Sequence, residues 1–114
     1  MKDENVVRDK SMAFAVRIVR LYKYLSEQHE QVMSKQVLRS GTSIGANVRE
    51  ALYGQSKRDF TAKMSIALKE AAETEYWLEL LNKTGYLEKE AYQSVLSDSQ
   101  ELCKLLTAIV RNSK

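Results

Sequence analysis

Proline is absent from this chain of 114 residues, where an average protein carries about 5%. The residue that breaks helices is missing, so long uninterrupted helices are allowed everywhere. Glycine is scarce, with four in all; Gly41 and Gly45 lie inside helix-like pattern, Gly54 and Gly85 between patterns. Cysteine occurs once, as Cys103. An intramolecular disulfide is therefore impossible, which fits a reducing, cytoplasmic setting. No apolar run approaches the ~20 residues of a membrane span. The opening MKDENVVRDK has neither the apolar core nor the small-residue cleavage site of a secretory signal. The sequence thus predicts a cytoplasmic protein with no membrane partner.

What remains is mostly Ala, Leu, Glu, Lys, Gln and Arg, which are good helix formers. Four amphipathic segments stand out. The first runs from about Arg8, or a turn earlier, to Gln28, with Phe14, Ile18, Leu21 and Leu25 as its buried stripe. His29–Met33 forms a polar connection. The second runs from Ser34, read as its N-cap, to Tyr53, with Gly54 as a left-handed C-cap. The third opens on Ser56-Lys57-Arg58-Asp59, a serine cap with an acid three residues later, and continues to Lys83. Phe60, Met64, Ala67, Ala71 and Leu78 share its inner face, and Ile66, Trp77 and Leu81 widen the apolar arc. After Thr84–Leu87 the fourth runs from Lys89 to Arg111, with Tyr92, Val95, Leu102, Leu106 and Ile109 in a heptad-like pattern that Ser99 interrupts. Short connections require antiparallel neighbours. The expectation is an all-α protein, one domain over 1–114, folded as an up-down-up-down four-helix bundle.

Candidates for catalysis are few. His29 lies in a polar connection, where a histidine is usually just solvated. Cys103 sits between Leu102 and Leu106, a place for a small buried side chain. Neither has the neighbours of a zinc site, and Glu70, Glu73 and Glu101 lack the Glu-x-x-His pattern of di-iron bundles. The reading is a protein that is not an enzyme and holds no metal and no cofactor.

Residues 36–51, QVLRSGTSIGANVREA, carry two opposed stripes. Val37, Gly41, Ile44, Val48 and Ala51 form a core face. Arg39, Ser43, Asn47 and Glu50 form the other, where a surface helix would show long solvated side chains. The two interior glycines each cost ~1 kcal/mol against alanine, so a close neighbour is expected there. This helix is read as packed on two sides, with the polar stripe a hydrogen-bonded network or a subunit interface. Trp77, at the edge of its arc, is read as a subunit contact.

The basic residues concentrate in 1–69 and the acidic ones in 70–114, within a net charge of +3. That polarity suits a polyanion and equally suits head-to-tail contact between subunits. Arg17, Arg20 and Tyr24 share one face of the first helix. Lys57, Arg58 and Lys63 occur together at the start of the third. The five cations are candidates for phosphate contact with RNA or DNA, and Tyr24 for stacking on a base. An ordinary charged surface is the competing reading.

The run RSGTSIGANVREA, followed by QSKRDFTAKMSIALKEAAETEYWLELL, resembles the bacterial 23S rRNA intervening-sequence proteins. The resemblance rests on Gln36, Arg39-Ser40, Ser43-Ile44, Ala46-Asn47-Val48, Glu50-Ala51, Phe60 and Ser65-Ile66-Ala67, and FAVRIVRLYKYL fits the family's first helix. Arg49 and Ala51 depart from the small residue and glycine frequent in relatives. The resemblance implies an antiparallel four-helix bundle that assembles into a homopentameric ring. A related member, the accessory variability determinant of diversity-generating retroelements, pairs with a reverse transcriptase and binds nucleic acid. An adaptor for such a polymerase-type partner, without nucleic-acid affinity of its own, is the alternative function. The family brings no catalytic residues.

Overall fold

The computed structural model describes residues 2–114, apart from the side chain of Asp3. Its four helices are α1 (Lys2–Glu27), α2 (Met33–Leu52), α3 (Lys57–Lys83) and α4 (Lys89–Ser113), and no strand occurs among the described residues. Each helix packs on the next, and α4 closes back on α1. The cross-contacts give the directions. Ile18 meets Gly41 and Ser11 meets Gly45. Arg39 reaches Glu73 while Lys63 reaches Glu50. Lys10 reaches Glu101 while Arg17 reaches Asp98. In every case rising numbers on one helix meet falling numbers on the other, so neighbours are antiparallel. The 43 × 20 × 18 Å shape matches the ~40 Å length of a 27-residue helix such as α3.

The core is the sum of the predicted stripes. Phe14, Ile18, Leu21 and Leu25 of α1, Val37, Ile44, Val48 and Ala51 of α2, Met64, Ala67, Ala71, Leu78 and Leu81 of α3, and Val95, Leu102, Leu106 and Ile109 of α4 are all buried. Ile66 is the exception on α3: it is 42% exposed on the outer surface. Helix α1 also starts earlier than its pattern suggests. Val7, in the second turn, is fully buried and ties the start of α1 to the core.

Two helix ends use the same geometry with different residues. At the end of α3, Gly85 has φ 86°. Its N–H donates to the Asn82 carbonyl at 3.2 Å, and that of Tyr86 to Leu81 at 3.0 Å. At the end of α1, His29 has φ 65°, with its N–H on Ser26 at 3.0 Å and that of Glu30 on Leu25 at 2.9 Å. Both are Schellman closures. His29 is thus a helix terminator in a conformation that usually selects glycine.

The start of α2 corrects the expected serine cap. The helix begins one residue earlier, and the N-cap position is Val32, which has no capping side chain. Glu30 does that work from outside the helix. Its carboxylate accepts from the N–H groups of Val32, Met33 and Ser34, the last at 2.8 Å. Ser34 instead donates its hydroxyl to the Glu30 carbonyl at 2.8 Å. An anion with three acceptor contacts outcompetes one hydroxyl at a helix N-terminus. Gly54 is also corrected, since its φ is not positive. It is small for lack of room: a Cβ there would come within 2.9 Å of the Ala51 carbonyl and the Asp59 carboxylate. Ser56 caps α3 as expected, accepting from the Asp59 N–H at 3.0 Å.

Candidate nucleic-acid interface

The apolar stripe of α2 is buried, while the polar stripe stays partly exposed along the α2–α3 seam. On one side Gly41 admits Ile18 of α1, whose side chain would lie 2.8 Å from any Cβ. Gly45 lies against the backbone of Ser11, where a Cβ would sit at 3.4 Å. On the other side the polar stripe faces α3. Arg39 pairs with Glu70 at 3.1 Å and with Glu73, and Glu50 accepts from Lys63 at 2.9 Å. Asn47 donates to the Ser43 carbonyl and hydroxyl within the helix. Behind this row the Thr74 hydroxyl donates to Ser40 at 2.9 Å, both residues fully buried.

Trp77 belongs to the same network. Its indole N–H donates to Glu73 at 2.9 Å, and the ring packs half-buried on the core. That hydrogen bond, with the one from Arg39, holds the Glu73 carboxyl below the usual carboxylate range. The bond to Glu73 conversely raises the Arg39 guanidinium. This seam joins two helices of one subunit. Tyr76 stands beside it, edge-on to Trp77 with ring centroids 5.0 Å apart, and is 57% exposed.

The six candidate nucleic-acid contacts fall in three places. Arg17, Arg20 and Tyr24 do come together. They line a groove of about 500 Å³ between α1 and α4, with the buried Leu21, Leu87 and Val95 as its floor and the exposed Glu88 and Ala91 on its rim. At this level α4 offers the small Ala91 to the groove, which leaves the seam open. Arg17 is committed. It donates to Asp98 at 2.6 Å and to the Ser94 hydroxyl at 3.0 Å. Arg20 is exposed and has no ion pair among the described residues.

Lys57 and Arg58 lie at the opposite end of the long axis. With Thr61, Ala62, Ser113 and Lys114 they line a shallow concavity of about 590 Å³ that no acidic side chain enters. Lys63 does not join them. It projects from another side of α3 to Glu50, which raises its pKa.

Other surface features went unread in the sequence. Arg8, Arg49 and the 81%-exposed Tyr53 line a further concavity at the same end as Lys57. On α1, Met12, Val16 and Val19 are exposed at 51%, 43% and 38%. Their three- and four-residue spacing was a second apolar stripe beside the core stripe. It borders a shallow groove of about 260 Å³ floored by Ala15, Gly45 and Ala46. Among the described residues, no three His, Cys, Asp or Glu side chains stand close enough to hold a metal. Cys103 is half-buried, and burial pushes its thiol up. Among the described residues, no helix is long and apolar enough to cross a membrane.

Comparison with known proteins places this architecture. The family described as 23S rRNA-intervening sequence protein matches residues 3–108. The chain belongs to that family. A crystal structure from Bacteroides thetaiotaomicron VPI-5482, described as a protein with unknown function from the S23 ribosomal protein family, is 63% identical. The match covers 96% of this chain and 98% of that one, with a TM-score of 0.94. No curated protein matches the chain. Family membership therefore carries the fold and leaves the activity to be argued from the surface.

Proposed function

We propose that this family member is a non-enzymatic, self-associating bundle that binds RNA or DNA through surface cations. The observation that carries the reading is the concavity at the start of α3. Lys57, Arg58 and Lys114 flank it and no acidic side chain lines it, beside the N-terminal end of a long helix. Cations without acidic partners in a concave surface suit a phosphate backbone. The Arg20–Tyr24 groove at the other end adds a second contact. In a homopentamer, the assembly that the family resemblance implies, each weak site would be repeated and avidity would follow. The exposed Met12–Val16–Val19 stripe supplies an apolar face for such self-contact.

The test is binding of a labelled RNA and a labelled DNA oligonucleotide as salt is raised. Affinity should fall steeply between about 50 and 200 mM salt. Lys57→Gln with Arg58→Gln should weaken binding and flatten that slope. A slope near zero would overturn the reading. Light scattering after size exclusion checks assembly, and Val16→Glu should lower the oligomer mass without loss of helix. A wild-type monomer would turn the apolar stripe toward a different protein, such as the polymerase-type partner of the alternative reading.

A further inference from the structure

We propose that the α1–α4 groove is a pocket for an unpaired nucleobase, so that the protein prefers single strands to duplex. This rests on the nucleic-acid reading above and adds the form of the ligand. The cavity of about 500 Å³ falls within the ~300–1,000 Å³ of small-ligand sites. Its floor is apolar: Leu21, Leu87 and Val95 retain only 8%, 4% and 6% exposure. Such a floor suits a flat ring and offers nothing to a sugar-phosphate chain.

The rim supplies what a nucleotide needs around its base. Arg17 has its charge met by Asp98 and its orientation fixed by Ser94. A pinned, neutralised guanidinium is a planar platform more than a phosphate ligand. Tyr24 stands two helical turns away, about 10 Å along the axis. It is 45% exposed, and the aromatic pair among the described residues is Tyr76–Trp77, so its ring remains available for stacking. Arg20 lies between the two and carries the unpaired charge for the adjoining phosphate. Glu88, the acid on this rim, repels phosphate and accepts from ring or exocyclic N–H groups.

That combination disfavours an acidic peptide. With Arg17 neutralised and Glu88 opposed, Arg20 is the one cation left for a single phosphate, while the apolar floor and the free aromatic ring are retained. A base within a duplex has both faces stacked and cannot enter.

Fluorescence anisotropy with short single-stranded and blunt duplex oligonucleotides of equal length, at fixed low salt, tests this. The wild type should bind the single strand about tenfold more tightly. Tyr24→Ala should abolish that preference and Tyr24→Phe should keep it. Ala91→Trp, which fills the groove from exposed α4 surface, should abolish it without loss of helical signal. Equal affinity for the two forms overturns the proposal, as does a preference that survives both Tyr24→Ala and Ala91→Trp. An acidic peptide that displaces the oligonucleotide from the wild type, but not from Ala91→Trp, also overturns it. If both forms bind equally and only Lys57→Gln with Arg58→Gln weakens them, the groove fails and the function stands. If neither form binds at any salt, the functional reading fails and takes the groove with it.

Discussion

The α2–α3 and α1–α4 seams are built from the same materials to different ends. Both are crossed by an arginine that reaches carboxylates. In the α2–α3 seam Arg39 meets two glutamates, Trp77 satisfies one of them, and a buried Ser40–Thr74 hydroxyl bond closes the interior. Small residues there bring the helices together and their polar atoms find each other. In the α1–α4 seam Arg17 meets Asp98 and Ser94, but the small Ala91 leaves space beyond them, and a groove remains. The same half of the bundle holds Ser99. It is fully buried on α4, and its hydroxyl has no partner among the described residues. A small side chain thus closes a seam only where its partner is complementary; elsewhere it leaves a groove.

The strongest way to break this contrast is to overpack the tight seam. Ser40→Leu places an isobutyl group where a hydroxyl meets Thr74. It should cost about 3 kcal/mol, read as a lower urea midpoint. A loss below about 0.5 kcal/mol would show that the seam is loose enough to absorb the side chain. The converse substitution addresses the other half. Ser99→Ala removes an orphaned buried hydroxyl and fills no new volume, so stability should rise by about 1 kcal/mol. A lower midpoint would mean that the hydroxyl is satisfied after all, and the two halves would differ less than the geometry indicates.

The fold was legible because its signal is local. Core stripes such as Phe14–Ile18–Leu21–Leu25 repeat at helical spacing, and Gly85 and Ser56 mark ends by residue type. The misreadings arise where one residue's role depends on another. Ser34 has the chemistry of a cap, yet Glu30 outbids it with a carboxylate held by the α1 terminus. The start of α1 hides in polar sequence because only Val7 of its first turns reaches the core. The candidate site was half legible. Spacing on one helix correctly placed Arg17, Arg20 and Tyr24 on one face. It could not reveal that Asp98 occupies Arg17 or that Glu50 draws Lys63 away, since those partners lie on other helices. The groove was invisible for the same reason: it is made by what α4 fails to present.

The smallest expected effect tests whether the polar row of the tight seam contributes stability or merely decorates it. The Trp77 hydrogen bond, and then Arg39, hold the Glu73 carboxyl below its ordinary range. The unfolded chain lacks these contacts, so its Glu73 binds a proton at higher pH than the folded chain does. The stabilisation is therefore complete above the ordinary carboxylate pKa and is lost as pH falls from there through the folded-state value. Glu73→Gln removes the titration. At neutral pH the variant should be weaker by only a few tenths of a kcal/mol, roughly, because the pair is partly exposed and screened. Its unfolding midpoint should vary less than the wild type's across that acid window. If the two acid limbs stay parallel, Glu73 is not coupled to folding, and the tight seam rests on Ser40, Thr74 and the apolar core behind them.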